Sequence, residues 1–477
     1  MYSDNISFED KFAPHADEFF SKFSVGALLR KAGASKIRGV KVVTVLRYLF
    51  FLAFTPYTMA RDQAVNGNAV KKDTCHRLLS MQKIDWNCFL GLVASSISRL
   101  LEPLRRKNCK GRLYGGMYIL DDSSFYRDRS KKTELLAKCW DHALNVCFKG
   151  FRMLTLAWCD GATTLPVSFC NMSSENRKSR VTEASASPEG SFGEKIKGIA
   201  QMKMNEAAIE LIREARKNGP KATKLLCDRW FSAPKMIFAF TREGLDVITM
   251  LKQNKTKYVF EGKELTVKQI FRILVERDRI QRRKDKTNGK LKGRSWQFHV
   301  TATIYERDGE ERKDVTLTYV RNRNKKSEFL VILSTDTSLS AEEVVECFGH
   351  RWNIEVMFKT LKSHLRLQKS TQPIDYMQIH GSTAIAMLQF QMLAYIKRME
   401  NDEASFGELF LLLVEEVTDE AFYAALSAIL SIFATKVSEK FSIPEEKMKE
   451  MLDEFLSALP SDIKRFLIQE KKTNKVA

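Results

Sequence analysis

The sequence predicts an α/β protein in which a mixed sheet, carrying helices and interrupted by a β-rich insertion, is flanked by helical regions. Three observations lead there. Between Gly115 and Leu251 short apolar runs first follow one another and then alternate with helical periodicity, the order expected of a mixed sheet with helices on it. Between about 253 and 335, segments of alternating polarity such as 297–305, 315–321 and 329–333 read as further strands. At both ends of the chain apolar residues recur at helical spacing instead. The expected organisation is a helical region over 1–112, core over 113–252, insertion over 253–338, a last core helix within 339–375, and a helical region over 376–477.

Taken in order, the chain starts with mixed acids, Lys11 and Phe, without the apolar run of a secretory leader. Residues 42–54 are the most apolar stretch, but it is too short to cross a bilayer and contains Arg47, so a buried helix is expected. Asp73 or Thr74 is placed to cap a short helix ending near Ser80, and 86–104 carries another helical pattern. A basic run follows: Arg105, Arg106, Lys107, Lys110 and Arg112. Short helices before a basic segment suit a DNA-end-binding module with Lys71, Lys72 and Arg77 as contacts. A helical cap with a solvated linker fits the same pattern.

In the core, 117–120 is an apolar run ending at Asp121-Asp122. Segments 143–148, 151–158 and 165–169 read as three strands, with turns at Lys149-Gly150 and Asp160-Gly161. Residues 172–194, rich in Ser, Glu and Gly, read as a long loop. A helix over 195–218, a strand over 223–227 leading to Asp228, a helix over 233–242 and a strand over 245–251 complete this part. Beyond the insertion, Ser340 or Ala341 opens a single long helix to about His364.

A length of 477 residues suits two or three domains. The 78 Lys+Arg against 58 Asp+Glu give a formal charge of +20, a field that favours polyanions, nucleic acid before an anionic membrane surface. Nine cysteines without any CxxC spacing, several inside apolar runs (Cys147, Cys159, Cys170, Cys227), argue against a disulfide framework or a zinc ribbon. Reduced core thiols in a cytoplasmic setting are expected, with no membrane partner.

An acid at the end of an apolar strand is costly to bury without a partner. Asp121 and Asp228 are each expected at such an end, where side chains leaving the sheet can converge. Carboxylates meeting there repel unless a divalent cation neutralises them, and oxygen ligands suit Mg²⁺ or Mn²⁺. Taken singly, each acid is more readily read as a turn or cap residue. Further along, Phe348, Arg351, Glu355 and Lys362 fall within a narrow arc, at roughly 0°, 300°, 340° and 320° on one continuous helix. Ile354, Phe358, Leu361 and Leu365 form the apolar stripe beside them. An exposed Arg–Glu pair one turn apart is the plainer reading of the same spacing.

These segments resemble a known family. Phe348-x2-Arg351-x3-Glu355-x6-Lys362, within HRWNIEVMFKTLK, is similar to the Tyr-Arg-Glu-Lys signature of the DDE transposases of bacterial insertion sequences, the insertion-sequence-four family. MYILDDSSF resembles its first-Asp motif, LLCDRWFSAPKMI its second, and VKKDTCHRLLS a stretch of its N-terminal region. The likeness covers roughly residues 70–365.

The resemblance implies an RNase H-like core with a β-rich insertion between the second Asp and the Glu. Asp121, Asp228 and Glu355 become catalytic metal ligands, with Asp122 as the rival for the first place; Ser123 fills the family's Ser/Thr position if Asp121 is the ligand. Arg351 and Lys362 become contacts to transposon-end DNA. Phe348 stands where the family has Tyr and lacks its hydroxyl. Two Mg²⁺ ions, replaceable by Mn²⁺, are implied at the acids. The partners implied are double-stranded DNA, as terminal inverted repeats and target, and a second copy of the chain, in the bacterial cytoplasm at the nucleoid. Basic clusters 105–112, 277–294 and 321–326 are candidate phosphate contacts, and Trp296 a candidate base-stacking residue. Two other functions share these features: a transposase-derived DNA-binding regulator, and an RNase H-like nuclease.

Overall fold

The apolar runs after Gly115 do form strands, and among the described residues eleven of them join one mixed sheet. The computed structural model describes residues 14–458 apart from 36–37, 56–57, 60, 63–69, 109–114, 142–143, 288–296, 307–310, 322–327, 368–372, 401–402 and 442. The strands are β1 (Met117–Tyr126), β2 (Ala137–Asp141), β3 (Val146–Cys159), β4 (Thr164–Met172), β5 (Lys224–Cys227), β6 (Asp246–Met250), β7 (Lys257–Phe260), β8 (Lys263–Thr266), β9 (Phe298–Tyr305), β10 (Arg312–Arg321) and β11 (Phe329–Ser334). The core order is β4-β3-β1-β5-β6, with β1, β5 and β6 parallel and β3 and β4 antiparallel to their neighbours. This is an RNase H-like arrangement.

The three expected strands are corrected in two places. Lys149-Gly150 is not a turn but lies inside the unbroken β3. Gly150 pairs with both Tyr126 and Ala137, and a Cβ there would lie 2.0 Å from the Phe125 carbonyl oxygen. Close backbone approach, not a reversal, is what this glycine serves. The strand β2 was not anticipated, because its alternation is only five residues long.

The N-terminal helices are α1 (Pro14–Lys22), α2 (Val25–Lys31), α3 (Val42–Phe51), α4 (Lys72–Leu79) and α5 (Trp86–Asn108). The buried apolar stretch falls on α3 as expected, while α4 begins at Lys72 with Lys71 at its cap, ahead of Asp73 and Thr74. The single helix expected over 195–218 is two, α6 (Phe192–Ala200) and α7 (Met204–Asn218). Helix α8 (Pro234–Arg242) follows β5, and α9 (Val267–Thr287) sits within the insertion. After the insertion come α10 (Ala341–Gly349), α11 (Trp352–Ser363), α12 (Tyr376–Met399), α13 (Phe406–Phe441) and α14 (Glu445–Ala458).

Helix α12 is buried along nearly its whole length and packs on β4, α5, α4 and α3. Regions expected as separate flanks therefore meet on one face of the sheet. Two buried amide side chains in this layer bond to backbone. Asn87 on α5 exchanges two 3.0 Å hydrogen bonds with the main chain of Phe169, taking the part of a neighbouring strand at the β4 edge. Gln391 on α12 donates to the carbonyls of Leu90 and Pro166.

The insertion continues the core sheet, since β11 pairs antiparallel with β6 and β10, β9, β7 and β8 follow. Its basic run is partly helical: 277–287 lie on α9, where Arg277 forks onto Glu261 at 2.6 and 2.5 Å and Arg282 pairs with Asp278. The loop over 173–191 is pinned. Buried Glu134 accepts from Lys197 at 2.7 Å, from the backbone and hydroxyl of Ser185, and from the Tyr376 amide. No two described cysteines are joined by a disulfide. No described helix is long and apolar enough to cross a membrane.

Candidate active site

The sheet decides where the first two acids stand. The parallel ladder of β1 and β5 ends at the pair Leu120–Cys227, so Asp121 and Asp228 are the next residues in register, side by side where that ladder stops. Beyond it the two strands differ. β1 runs on to Tyr126 against β3, with Asp121 opposite Thr155. Asp121 is therefore held in mid-strand, which corrects the expectation of a strand end: pairing continues on one edge only. β5 stops, and Asp228 caps the 3₁₀ turn Arg229–Phe231 by accepting from the Trp230 amide at 2.8 Å.

The third acid arrives on α11. The single long helix expected here is broken between α10 and α11. Ser340 opens α10 with a reciprocal capping box to Glu343, as its sequence position suggested. At 347–354 the backbone bonds run to the third residue back, from His350 to Cys347 and from Arg351 to Phe348, so the chain tightens and turns there. Gly349, a poor helix former, marks the break. Phe348 consequently lies on α10, Arg351 at the junction, and Glu355 and Lys362 on α11.

That junction aims one guanidinium at two acids. Arg351 Nη1 donates to Asp121 Oδ2 at 2.9 Å, and Nη2 donates to Glu355 Oε1 at 2.6 Å. The Arg–Glu pair along the helix and the convergence of the acids are thus one arrangement. Burial pushes the Asp121 carboxyl up to about 7, against the opposing pull of Arg351 and the Asp122 amide. Burial also raises Asp228, with Asp122 adding to it and the Trp230 amide opposing it.

Asp122 has other company. It pairs with Arg152 of β3, whose Nη1 also donates to the Trp140 carbonyl at 2.6 Å. Nearby, Asp141 accepts from Ser124 Oγ at 2.7 Å and from the Tyr126 hydroxyl. Lys362 donates to Ser123 Oγ at 2.7 Å, and burial lowers its pKa below that of an ordinary lysine. The Phe348 ring is half-buried against the core, and the Arg351 guanidinium lies 5.8 Å from its centroid.

Sequence reasoning did not single out several residues around the acids. Arg152, Asp141 and Tyr126 carry no motif, and cross-strand pairing alone unites them. Trp230 and Trp352 sit inside quoted motifs, directly after Arg229 and Arg351, and both indoles are exposed. The Lys252 ammonium lies 4.8 Å from the Trp230 ring. Lys71, Lys72 and Arg77 are exposed on α4, which packs chiefly on α3 and α12, and Arg77 folds back onto the Asp73 carbonyl. Trp296, the side chains of 105–112 and all of 288–294 and 322–326 lie outside the described residues.

Asp121, Asp228 and Glu355 offer only carboxylate oxygens, the donors that Mg²⁺ and Mn²⁺ prefer. Between Asp121 and Glu355 the structure already accommodates a positive group, the Arg351 guanidinium. The donor chemistry fits a divalent ion, although among the described residues no three His, Cys, Asp or Glu side chains stand close enough together to grip one.

The site is thus an RNase H-like sheet with two acids beyond the end of its central parallel ladder. Family comparison adds to this: residues 55–266, containing Asp121 and Asp228, match the DDE superfamily endonuclease, and residues 199–372, containing Asp228 and Glu355, match the transposase DDE domain. These matches support an enzyme of the DDE transposase and endonuclease class, whose members generally use divalent metal and act on DNA. No curated protein matches it.

Proposed function

We propose that this protein is a transposase of the insertion-sequence-four family, cutting DNA at the ends of its element and joining the freed 3′-hydroxyl ends to target DNA. Asp121, Asp228 and Glu355 are its catalytic carboxylates and hold Mg²⁺, with Mn²⁺ as a substitute, in a two-ion site. The observation that carries this reading is the Arg351 bridge. It unites the first acid, the third acid and the signature Arg in one contact, beside Asp228. Asp121 is favoured over Asp122 because Asp121 shares Arg351 with Glu355, whereas Asp122 pairs away from them with Arg152 of β3.

Bound metal would supply charge stabilisation for an in-line displacement at phosphorus. The chain's own residues set its geometry. Asp121 and Asp228 are fixed by adjacent strands, so their separation is that of neighbouring strands. Arg351 and Lys362 present positive charge beside them and orient the DNA phosphates. Phe348 offers a ring but no hydroxyl, a loss of about 1.5–3 kcal/mol wherever the family's Tyr bonds a charged oxygen. At the nicking step water attacks phosphorus and the 3′-oxygen leaves as the freed hydroxyl; at joining that hydroxyl attacks a target phosphorus and expels a target 3′-oxygen, with no covalent bond between protein and DNA. The helical N-terminal region, Lys71, Lys72 and Arg77 included, contributes to end binding. The C-terminal helices pair two copies on two ends.

The test is a reaction of the purified protein with paired inverted-repeat DNA and Mg²⁺, resolved for joined products. Strand-transfer products are expected. Cleavage without joining would identify a nuclease on the same fold, and binding without cleavage in Mg²⁺ or Mn²⁺ a DNA-binding regulator.

A further inference from the structure

Two carboxylates drawn together on a sheet and a helix need positive charge between them, and in this structure Arg351 provides it. Its two terminal nitrogens are committed separately, one to Asp121 at 2.9 Å and one to Glu355 at 2.6 Å. The guanidinium is held there from behind: the backbone of 347–354 is tied by short-range turns, and the Phe348 ring lies beneath it. Only 18% of the Arg351 side chain and 15% of Asp121 are exposed, so water screens that arm of the contact poorly, while Glu355 is 35% exposed.

We infer that Arg351 is an internal counter-cation that competes with divalent metal for Asp121 and Glu355. This rests on the reading of those two acids as metal ligands. The two carboxylates cannot serve both cations at full strength, because the guanidinium already lies on Asp121 Oδ2 and Glu355 Oε1 and would repel a divalent ion brought to either group. Metal entry therefore weakens the hold of the guanidinium on at least one carboxylate. A nucleic-acid phosphate is the anion suited to receive it, since Arg forks onto phosphate as it does onto carboxylate. Arg351 is in this view a positioning residue that holds the acids in place before metal arrives and is released as the site fills.

Competition makes a prediction opposite to that of a supporting role. Removing a supporting residue weakens metal binding, whereas removing a competitor tightens it. Mn²⁺ binding to the full-length protein, followed by electron paramagnetic resonance without DNA, separates the two. Arg351→Gln should bind Mn²⁺ about tenfold or more tightly than wild type, because a unit charge beside two ligands has gone. Arg351→Lys keeps the charge but cannot fork, and should fall between them. Asp121→Asn and Glu355→Gln should each lose the tight site. Thermal melts accompany every variant to establish that it folds. Unchanged or weaker Mn²⁺ binding by Arg351→Gln, with Asp121→Asn and Glu355→Gln still impaired, overturns the competition and leaves the ligand assignment standing. Mn²⁺ binding indifferent to Asp121→Asn and Glu355→Gln overturns the ligand assignment, and the competition with it.

Discussion

Lys362 on α11 donates to Ser123 Oγ on β1 at 2.7 Å, next but one along the strand from Asp121. This bond fastens the far end of the helix to the same strand that Arg351 grips at its start. On the proposed function, a cation so placed would receive a phosphate lying over the acids.

Lys362→Ala is therefore expected to weaken DNA binding and to lower the slope of log affinity against log salt by about one phosphate contact. The measurement is a salt titration of DNA binding for wild type and variant. An unaltered slope with reduced thermal stability would reduce Lys362 to a structural tie.

The acids should divide by function. Asp121→Asn, Asp228→Asn and Glu355→Gln are each expected to lower cleavage by roughly a thousandfold or more while DNA is still retained in a gel-shift assay. Asp122→Asn should instead keep cleavage and lose about 1.5–3 kcal/mol of stability, the worth of its charged hydrogen bond to Arg152. Cleavage lost in Asp122→Asn and kept in Asp121→Asn would exchange their places.

The site should cost stability, with a sign set by pH. Burial raises Asp121 to about 7, above the roughly 3.9 of an unfolded aspartate. The folded state then holds this proton more tightly than the unfolded one, so stability from this group declines as pH rises from about 4 to about 7. Asp121→Asn removes the penalty. In metal-free buffer its melting temperature should exceed that of wild type by more at pH 8 than at pH 5, as thermal denaturation at both pH values would read. An equal difference at both would refute the assigned shift.

Glu134 works in the other direction. Burial tends to raise its carboxyl, but Lys197, Ser185 and the Tyr376 amide prevail and hold it below the usual glutamate value. Its stabilising contribution is present above the unfolded pKa and lost as pH falls through the folded one. Glu134→Gln leaves Lys197 buried without its counter-charge, at a cost of about 3–5 kcal/mol by chemical denaturation near neutral pH. Limited proteolysis should then open the 173–191 loop first.

Much of this was readable from the sequence by itself. Local apolar patterning set the α/β class and located β5, β6 and α8 within a residue or two of their observed bounds, because each is a short element whose pattern needs no distant partner. The motif spacing singled out Asp121, Asp228, Arg351, Glu355 and Lys362 before any contact was known. Tertiary structure alone decided how they meet. No local pattern states that β1 continues past Asp121 on one edge while β5 stops, that Gly150 stands within a strand, or that the signature helix breaks after Gly349. Nor does it state that Arg351 serves two acids at once, one of them 230 residues away. Periodicity records which residues share a face of one element, whereas charge pairing across strands and helices depends on how separate elements come to rest against each other.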